Sequence, residues 1–466
     1  KELCVSHSAA ILWDTDLIRR YDKSGPRYTS YPTALSFTPV EKPAQYLRQA
    51  LLERDTTKPL SLYLHIPFCA HVCYYCGCNK VVTADRGRAQ PYLEVLHREI
   101  ELRSAELPAR PVVDQLHWGG GTPTFISMEE TAQLMAQLRA NFNLRDDDQG
   151  DYSIEIDPRE MSIERLKQLR QLGFNRLSLG VQDLNPDVQK AVNRIQPLEM
   201  TTDLITAARE MGFRSINIDL IYGLPLQTEG SFKETLNTVL KIRPDRLSVF
   251  NYAHLPERFK PQRRINAEDL PDASTKLAIH HNAIAQLTQA GYRNIGMDHF
   301  ALPQDSLSVA QQSGELHRNF QGYTTHGNCD LLGLGVSSIS QIGDYYLQNS
   351  PDLPTYNAMV MNHGSALTKS YKLNSDDHIR RTLITRLICD FELNYAQLSE
   401  QTGVNIKRYF ADELYQLEAM QAEGMLQLRA DGLEVLPLGR LLIRRICMVF
   451  DAYINQPSER RYSKII

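Results

Sequence analysis

A chain of 466 residues with 42% hydrophobic and 23% charged side chains has the make-up of folded globular domains, which excludes a disordered or fibrous polymer and suggests about two to three domains. The formal net charge of −4 supplies no whole-molecule field for nucleic acid or an anionic membrane, so neither is an expected partner and any acidic ligand must find local arginines. No apolar run nears the roughly 18 residues of a membrane span, and the opening KELCVSHSAAILWDTD lacks the basic and apolar blocks of a secretory signal, so a cytoplasmic location is expected.

In chain order, residues 1–59 form a first piece whose densest stretch of turn and aromatic residues is PRYTSYPTA, 26–34. From residue 60 to about 300, short β-branched or aromatic runs alternate with stretches of helical period, the signature of a parallel sheet. Strands are predicted at 61–66, 112–118, 152–157, 176–181, 215–221 and 246–252. Helices are predicted between them at 91–107, 128–142, 163–174, 199–213 and 231–242. Six such units point to an α/β fold, a partial (β/α)6 TIM-like barrel over residues 60–350, with 294–300 a possible further strand. An open doubly wound sheet is the alternative. Residues 351–466 lose the alternation; from Asp376 onward they read as helices around a short hairpin, a mainly helical, winged-helix-like C-terminal domain.

Four of the eight cysteines fall within CAHVCYYCGCN, at Cys69, Cys73, Cys76 and Cys78, while Cys4, Cys329, Cys389 and Cys447 are scattered. In a reducing compartment a disulfide framework is excluded. Zinc normally takes two separated ligand pairs, and no second CxxC exists, but His71 inside the run can complete a tetrahedron, so zinc stays open. The other reading is an iron–sulfur cluster. Three thiolates from CxxxCxxC leave one of four irons without a protein ligand, and an open metal position is what a reactive site needs. The run follows the first strand, at the edge where barrels place their chemistry. WGGGTPT, 118–124, follows the second strand; glycines there let backbone approach a ligand, or simply let a loop take positive φ.

CxxxCxxC after strand one, followed by GGGTPT, resembles the radical S-adenosylmethionine (SAM) superfamily. GPRYTSYPTA, LYLHIPFC, CYYCGCN, LHWGGGTPT, IEIDPRE, GFNRLSLGVQD, NIDLIYGLPLQT, DRLSVFNYAHLP, GMDHFA and LHRNFQGYTT extend the likeness from about Asp14 to the C-terminus. Together they resemble the oxygen-independent coproporphyrinogen III oxidases, or coproporphyrinogen dehydrogenases, of that superfamily. The resemblance implies that Cys69, Cys73 and Cys76 hold a [4Fe–4S] cluster, with Cys78 a nearby thiol that does not ligate it. It implies two SAM molecules. Tyr63, Gly120, Glu155 and Ile339 match positions around the cluster-bound one; Tyr75, Gly121, Thr122, Gln182, Arg194, Asp219 and Ala253 match positions around the second. Tyr75 stands where the family often has Phe. The implied reaction takes hydrogen from the propionate β-carbons of rings A and B of coproporphyrinogen III by a 5′-deoxyadenosyl radical. Loss of an electron and carbon dioxide then leaves vinyl groups, giving protoporphyrinogen IX in haem biosynthesis.

Tyr63, His65, Cys78 and Glu155 are the candidate catalytic residues. Bland readings stand beside several: helix caps for Glu155 and Asp219, a solvated helix-end cation for Arg194, a packing role for His65. Arg27 and Arg318 are candidates for the propionates, with segment 1–59 closing over the barrel mouth. A flavodoxin or ferredoxin is the expected electron donor, and a monomer the expected state. The competing function is a haem-binding chaperone of the same superfamily, whose members usually lack the fourth cysteine and the PRYTSYPTA segment.

Overall fold

The short apolar runs become parallel strands in the computed structural model, which describes residues 11–454. These are β1 (Leu60–Ile66), β2 (Val112–Gly120), β3 (Asp151–Ile156), β4 (Arg176–Gln182), β5 (Ser215–Tyr222) and β6 (Arg246–Asn251). Helices α1 (Gln90–Glu106), α2 (Met128–Asn141), α3 (Ile163–Gln171), α4 (Leu198–Glu210) and α5 (Glu229–Ile242) join them in turn. Helices α2, α3 and α5 start where the sequence supplies caps. Ser127 and Thr228 form capping boxes with Glu130 and Ser231, and Ser162 caps α3; each satisfies N–H groups that the first turn leaves unpaired.

The order β1-β2-β3-β4-β5-β6 follows the chain. A doubly wound sheet reverses direction at a switch point; this one never does. Because parallel crossovers are right-handed, winding in one direction puts all the helices on one face and curls the other into a barrel interior. The two faces differ accordingly. On β4 and β5, Leu177, Leu179, Val181, Ile216, Ile218 and Leu220 are buried beneath the helices, while Ser178, Gly180, Gln182, Asn217 and Asp219 alternate with them on the interior face. The register places Tyr63 opposite His117, Glu155 opposite Ser178 and Gly180 opposite Asp219.

A seventh parallel strand, β7 (Asp330–Leu334), lies on the free side of β1. It continues antiparallel through β8 (Ile339–Ile342), β9 (Tyr345–Asn349) and β10 (Leu367–Lys372). These elements belong to a compact unit made of residues 37–272 and 328–372.

The other unit gathers the described residues up to Ser36, residues 273–327 and the described residues from Leu373 onward. It is mostly helical, with Ala273–Gln289 and Ser375–Asp390 its long helices. The expected hairpin appears as Leu426–Leu428 against Gly432–Val435, and Glu392–Asn394 adds a third strand. The possible strand at 294–300 is instead two short antiparallel strands, Arg293–Gly296 and His299–Ala301. Met297, at φ +48°, turns the chain between them.

Candidate active site at the carboxyl ends of the strands

The cysteine run leaves β1 through Phe68–Cys69, which pairs with Val81–Val82 and closes residues 70–80 into a loop. Cys69, Cys73, Cys76 and Cys78 all border a cleft of about 320 Å³, whose remaining wall comes from the ends of β2 to β6. None of the seven described cysteines is in a disulfide; Cys4 lies outside the described residues.

Donors surround the sulfurs. Thr122 Oγ1 donates to Cys69 Sγ (3.5 Å), the Cys78 N–H to Cys76 Sγ (3.5 Å), and Arg159 and Arg194 each to Cys73 Sγ (3.4 Å). The Cys78 thiol and Lys80 hold the Cys76 thiol below its ordinary value and favour its thiolate, whereas burial pushes Cys69 up to about 11. Such donors stabilise anionic sulfur and tune a metal centre.

The glycines of the β2 turn are required by space. Gly120 has φ +121°, and a Cβ there would stand 2.9 Å from the His65 ring. One on Gly121 would stand 2.7 Å from Phe68 O and 3.0 Å from Cys69 Sγ. A side chain at Gly120 would push on the end of β1 and one at Gly121 on the start of the cysteine run, so only hydrogen lets these stretches come together.

Beneath the cleft the interior face carries a polar layer. His65 Nε2 must donate to Asn79 O (3.1 Å), since a carbonyl only accepts, which leaves Nδ1 to accept the Tyr63 hydroxyl (3.0 Å). Burial lowers the His65 pKa and keeps this tautomer neutral. Tyr63 stacks on His117, whose Nε2 faces Glu155 Oε1 at 3.2 Å. The Glu155 side chain is 43% exposed into the cleft. Asp219 accepts from Asn217 (2.8 Å) and Ser178 (3.3 Å), and burial raises its carboxyl to about 6.

Arg194 was expected either beside the second SAM or as a solvated helix-end cation. It is buried, bonded to Asp157 Oδ2 (3.1 Å), Cys73 Sγ and Gly180 O, and only its Nε is left without a protein partner. Burial opposes charge on Asp157, but Arg194 and Arg159 outweigh it and hold the carboxyl below its ordinary value. Gln182 takes φ +70° and its buried Oε1 has no partner.

Thus Tyr75, Gly120, Gly121, Thr122, Glu155, Gln182, Arg194 and Asp219 meet the four cysteines around one cleft. Tyr63 and His65 support it from the floor. Ala253, just past β6, and Ile339, which opens β8, are outside its lining. Asp157, Arg159, Lys80 and Ser178 line the cleft without having been read from the sequence. The motif IEIDPRE held the first two; nothing local marked Ser178 or His117, whose places follow from strand register.

The residues fit a cluster and its ligand. Three thiols face one cleft, beside a glycine floor that a Cβ would fill and two orphaned buried polar atoms, Gln182 Oε1 and Arg194 Nε. His71, the alternative zinc ligand, pairs with Glu160 (3.0 Å). No helix among the described residues is long and apolar enough to cross a membrane.

Residues 63–239 match the model of the Radical SAM superfamily and 373–442 that of the HemN C-terminal domain. The chain is 56% identical over 98% of its length, and 99% of the relative's, to the oxygen-independent coproporphyrinogen III oxidase of Pseudomonas aeruginosa. It is 51% identical to that of Escherichia coli K12, covering 97% of this chain and 98% of the relative. The solved structure of coproporphyrinogen III oxidase (HemN) from Escherichia coli, described as a radical SAM enzyme, superposes with a TM-score of 0.90 at 50% identity, covering 96% of this chain and 100% of that one. Identity of this extent, over a cleft that brings three thiols and the glycine turn together, means that the chain belongs to the oxygen-independent coproporphyrinogen III oxidase family of radical SAM enzymes.

Proposed function

We propose that this chain converts coproporphyrinogen III to protoporphyrinogen IX without oxygen, by oxidative decarboxylation of the ring A and ring B propionates to vinyl groups. The observation that carries the reading is the three-thiol cleft with its glycine floor, in a chain more than half identical along its length to an enzyme of that name. When bound, a [4Fe–4S] cluster and SAM supply the 5′-deoxyadenosyl radical that takes hydrogen from the propionate β-carbon.

The chain's own residues bind, orient and exclude water. Cys69, Cys73 and Cys76 hold the cluster, and Cys78 does not, its thiol and N–H serving Cys76 instead. Gly120 and Glu155 receive the cluster-bound SAM, with Tyr63 fixed by His65 beneath it and Ile339 nearby. Tyr75, Gly121, Thr122, Gln182, Arg194, Asp219 and Ala253 surround the second SAM. Apolar strands and helices behind the polar layer keep water from the reacting carbon. Arg27 and Arg318 take propionates. Arg318 supports its part by keeping Nε and Nη1 buried without a partner. Arg27 is bonded to Asp298 (2.9 Å), a carboxylate that a propionate would have to displace or share. The enzyme works in the cytoplasm as a monomer, reduced by a flavodoxin or ferredoxin.

The test is anaerobic reconstitution with iron, sulfide, a strong reductant and SAM. We expect 5′-deoxyadenosine and protoporphyrinogen IX from the unaltered chain, neither product and little bound iron from Cys76→Ala, and retained iron in Cys78→Ala. Full activity in Cys76→Ala would overturn the ligand assignment. Porphyrin binding without decarboxylation would favour a haem-carrying chaperone.

A further inference from the structure

The outer side of the cysteine loop is covered by the segment that follows β6, and this cover is basic. Phe259 lies against Gly77, its ring 3.1 Å from where a Cβ would stand. Gln262 donates to Tyr75 O (2.9 Å), and the Arg264 guanidinium sits over the Tyr74 ring at 5.4 Å. Ile265 anchors the segment in a buried cluster with Val188, Val192 and Tyr252, against which Tyr74 and Tyr75 pack. What this anchored stretch shows to solvent is Arg258, Lys260, Arg263 and Arg264, all exposed, with no carboxylate between 258 and 264 and Glu257 the one acid adjoining it. Among the described residues none of the four is ion-paired. The neighbouring Gly77 and Cys78 are themselves exposed, so the ridge flanks an exposed part of the cysteine loop.

A chain of net charge −4 that concentrates four unpaired cations against its metal loop has a local field opposite to its overall one. Charges at the rim of an interface act mainly by steering encounter and setting register, and salt screens them. We infer that the ridge formed by Arg258, Lys260, Arg263 and Arg264 is the docking surface for an acidic, low-potential electron-transfer protein. The inference rests on the proposed function, which requires an electron at this loop. One electron leaves the donor, which is oxidised by one equivalent, and reduces the cluster by one; no bond is made or broken at the surface.

The test uses the reconstituted holoenzyme, oxidised flavodoxin as the probe, and a triple variant Arg258→Glu, Lys260→Glu, Arg263→Glu; Arg264 is kept because it covers Tyr74. Binding is measured by biolayer interferometry at about 20 and about 300 mM salt, a range over which screening of exposed charges changes from weak to strong. The unaltered enzyme is expected to lose affinity at least tenfold at the higher salt. The variant, with unchanged circular dichroism and iron content, is expected to bind at least tenfold more weakly at low salt and to show little salt dependence. Flavodoxin hydroquinone should reduce its cluster correspondingly slowly, and dithionite at the normal rate. Equal binding by the variant, no flavodoxin binding by the unaltered enzyme, or a preference for duplex DNA at the same salt would overturn the inference. Failure of dithionite and SAM to yield 5′-deoxyadenosine in the unaltered enzyme would instead sink the functional reading, which the binding assay does not touch.

Discussion

Gln182 holds two costs at one residue. Its φ of +70° is a left-handed conformation that a side chain adopts at about 1 kcal/mol, and its buried Oε1 accepts from nothing in the protein. A donor on a bound ligand would satisfy the second, which gives a reason for tolerating the first. Gln182→Gly should therefore stabilise the free protein by about 0.5–1 kcal/mol and weaken SAM binding several-fold. Thermal unfolding and equilibrium dialysis read the two effects separately, and undiminished SAM binding would remove Gln182 from the site. The cysteines and the glycine turn were legible because their chemistry dictates residue type and spacing together. Arg194 was legible as a site residue but not in its attachment. That it grips Asp157 and Cys73 depends on the chain folding back from the turn after β4, which no local pattern encodes. His117 had no signal of its own, since a histidine on an alternating strand acquires meaning only when register sets it beside Tyr63 and Glu155.

Among the elements, α1 ties the sheet together through one buried carboxylate. Glu99 is 2% exposed and accepts from Tyr356 Oη (2.7 Å), the Gly335 N–H (2.7 Å) and Asn349 Nδ2 (2.8 Å). Tyr92, two turns earlier, donates to the carbonyl of His65 and accepts from the Val336 N–H. One helix face thus fixes both the back of β1 and the turn between β7 and β8. A carboxylate without a cation can be buried here because its donors are already aimed at it. Glu99→Gln replaces an acceptor by an NH2 group facing donors and should cost about 2–4 kcal/mol, read as a lower urea midpoint. The six strands of the barrel were legible because helices cover one face only, which leaves a period of two. β7 was not. All five of its residues, DLLGL, are buried, so alternation is lost and the run reads equally well as part of a helix.

At the scale of the molecule, the chain is woven: among the described residues, those up to Ser36, 273–327 and those from Leu373 onward share one core, in which Leu17, Tyr28, Ile295, Leu307, Leu383 and Leu387 are all buried. Periodicity shows that each segment has an apolar face, but not which distant segment covers it, so this sharing was not legible. That unit also carries a pH signature whose sign can be worked out. Burial lowers His280 and His317 to about 4, so both are neutral when folded, whereas an unfolded histidine titrates near 6.5. The stability they contribute is complete above about 6.5 and is lost as pH falls toward 4. Asp390 acts in the opposite sense. Burial raises it to about 6 although Arg386 lies 2.9 Å away, so the folded state holds a proton there that the unfolded state releases above about 4. Between pH 4 and 6 the unfolded unit binds about two extra protons and the folded unit about one. Stability should then fall by about 1.4 kcal/mol for each unit of acidification. Asp390→Asn removes the opposing proton, and the slope should steepen to about 2.7 kcal/mol per unit over the same range. Hydrogen exchange of the 273–289 peptides across a urea series at pH 6, 5 and 4.5 measures both slopes. If Asp390→Asn left the slope unchanged, Asp390 would be ionised in the fold, and its ion pair with Arg386 would outweigh the cost of burying it.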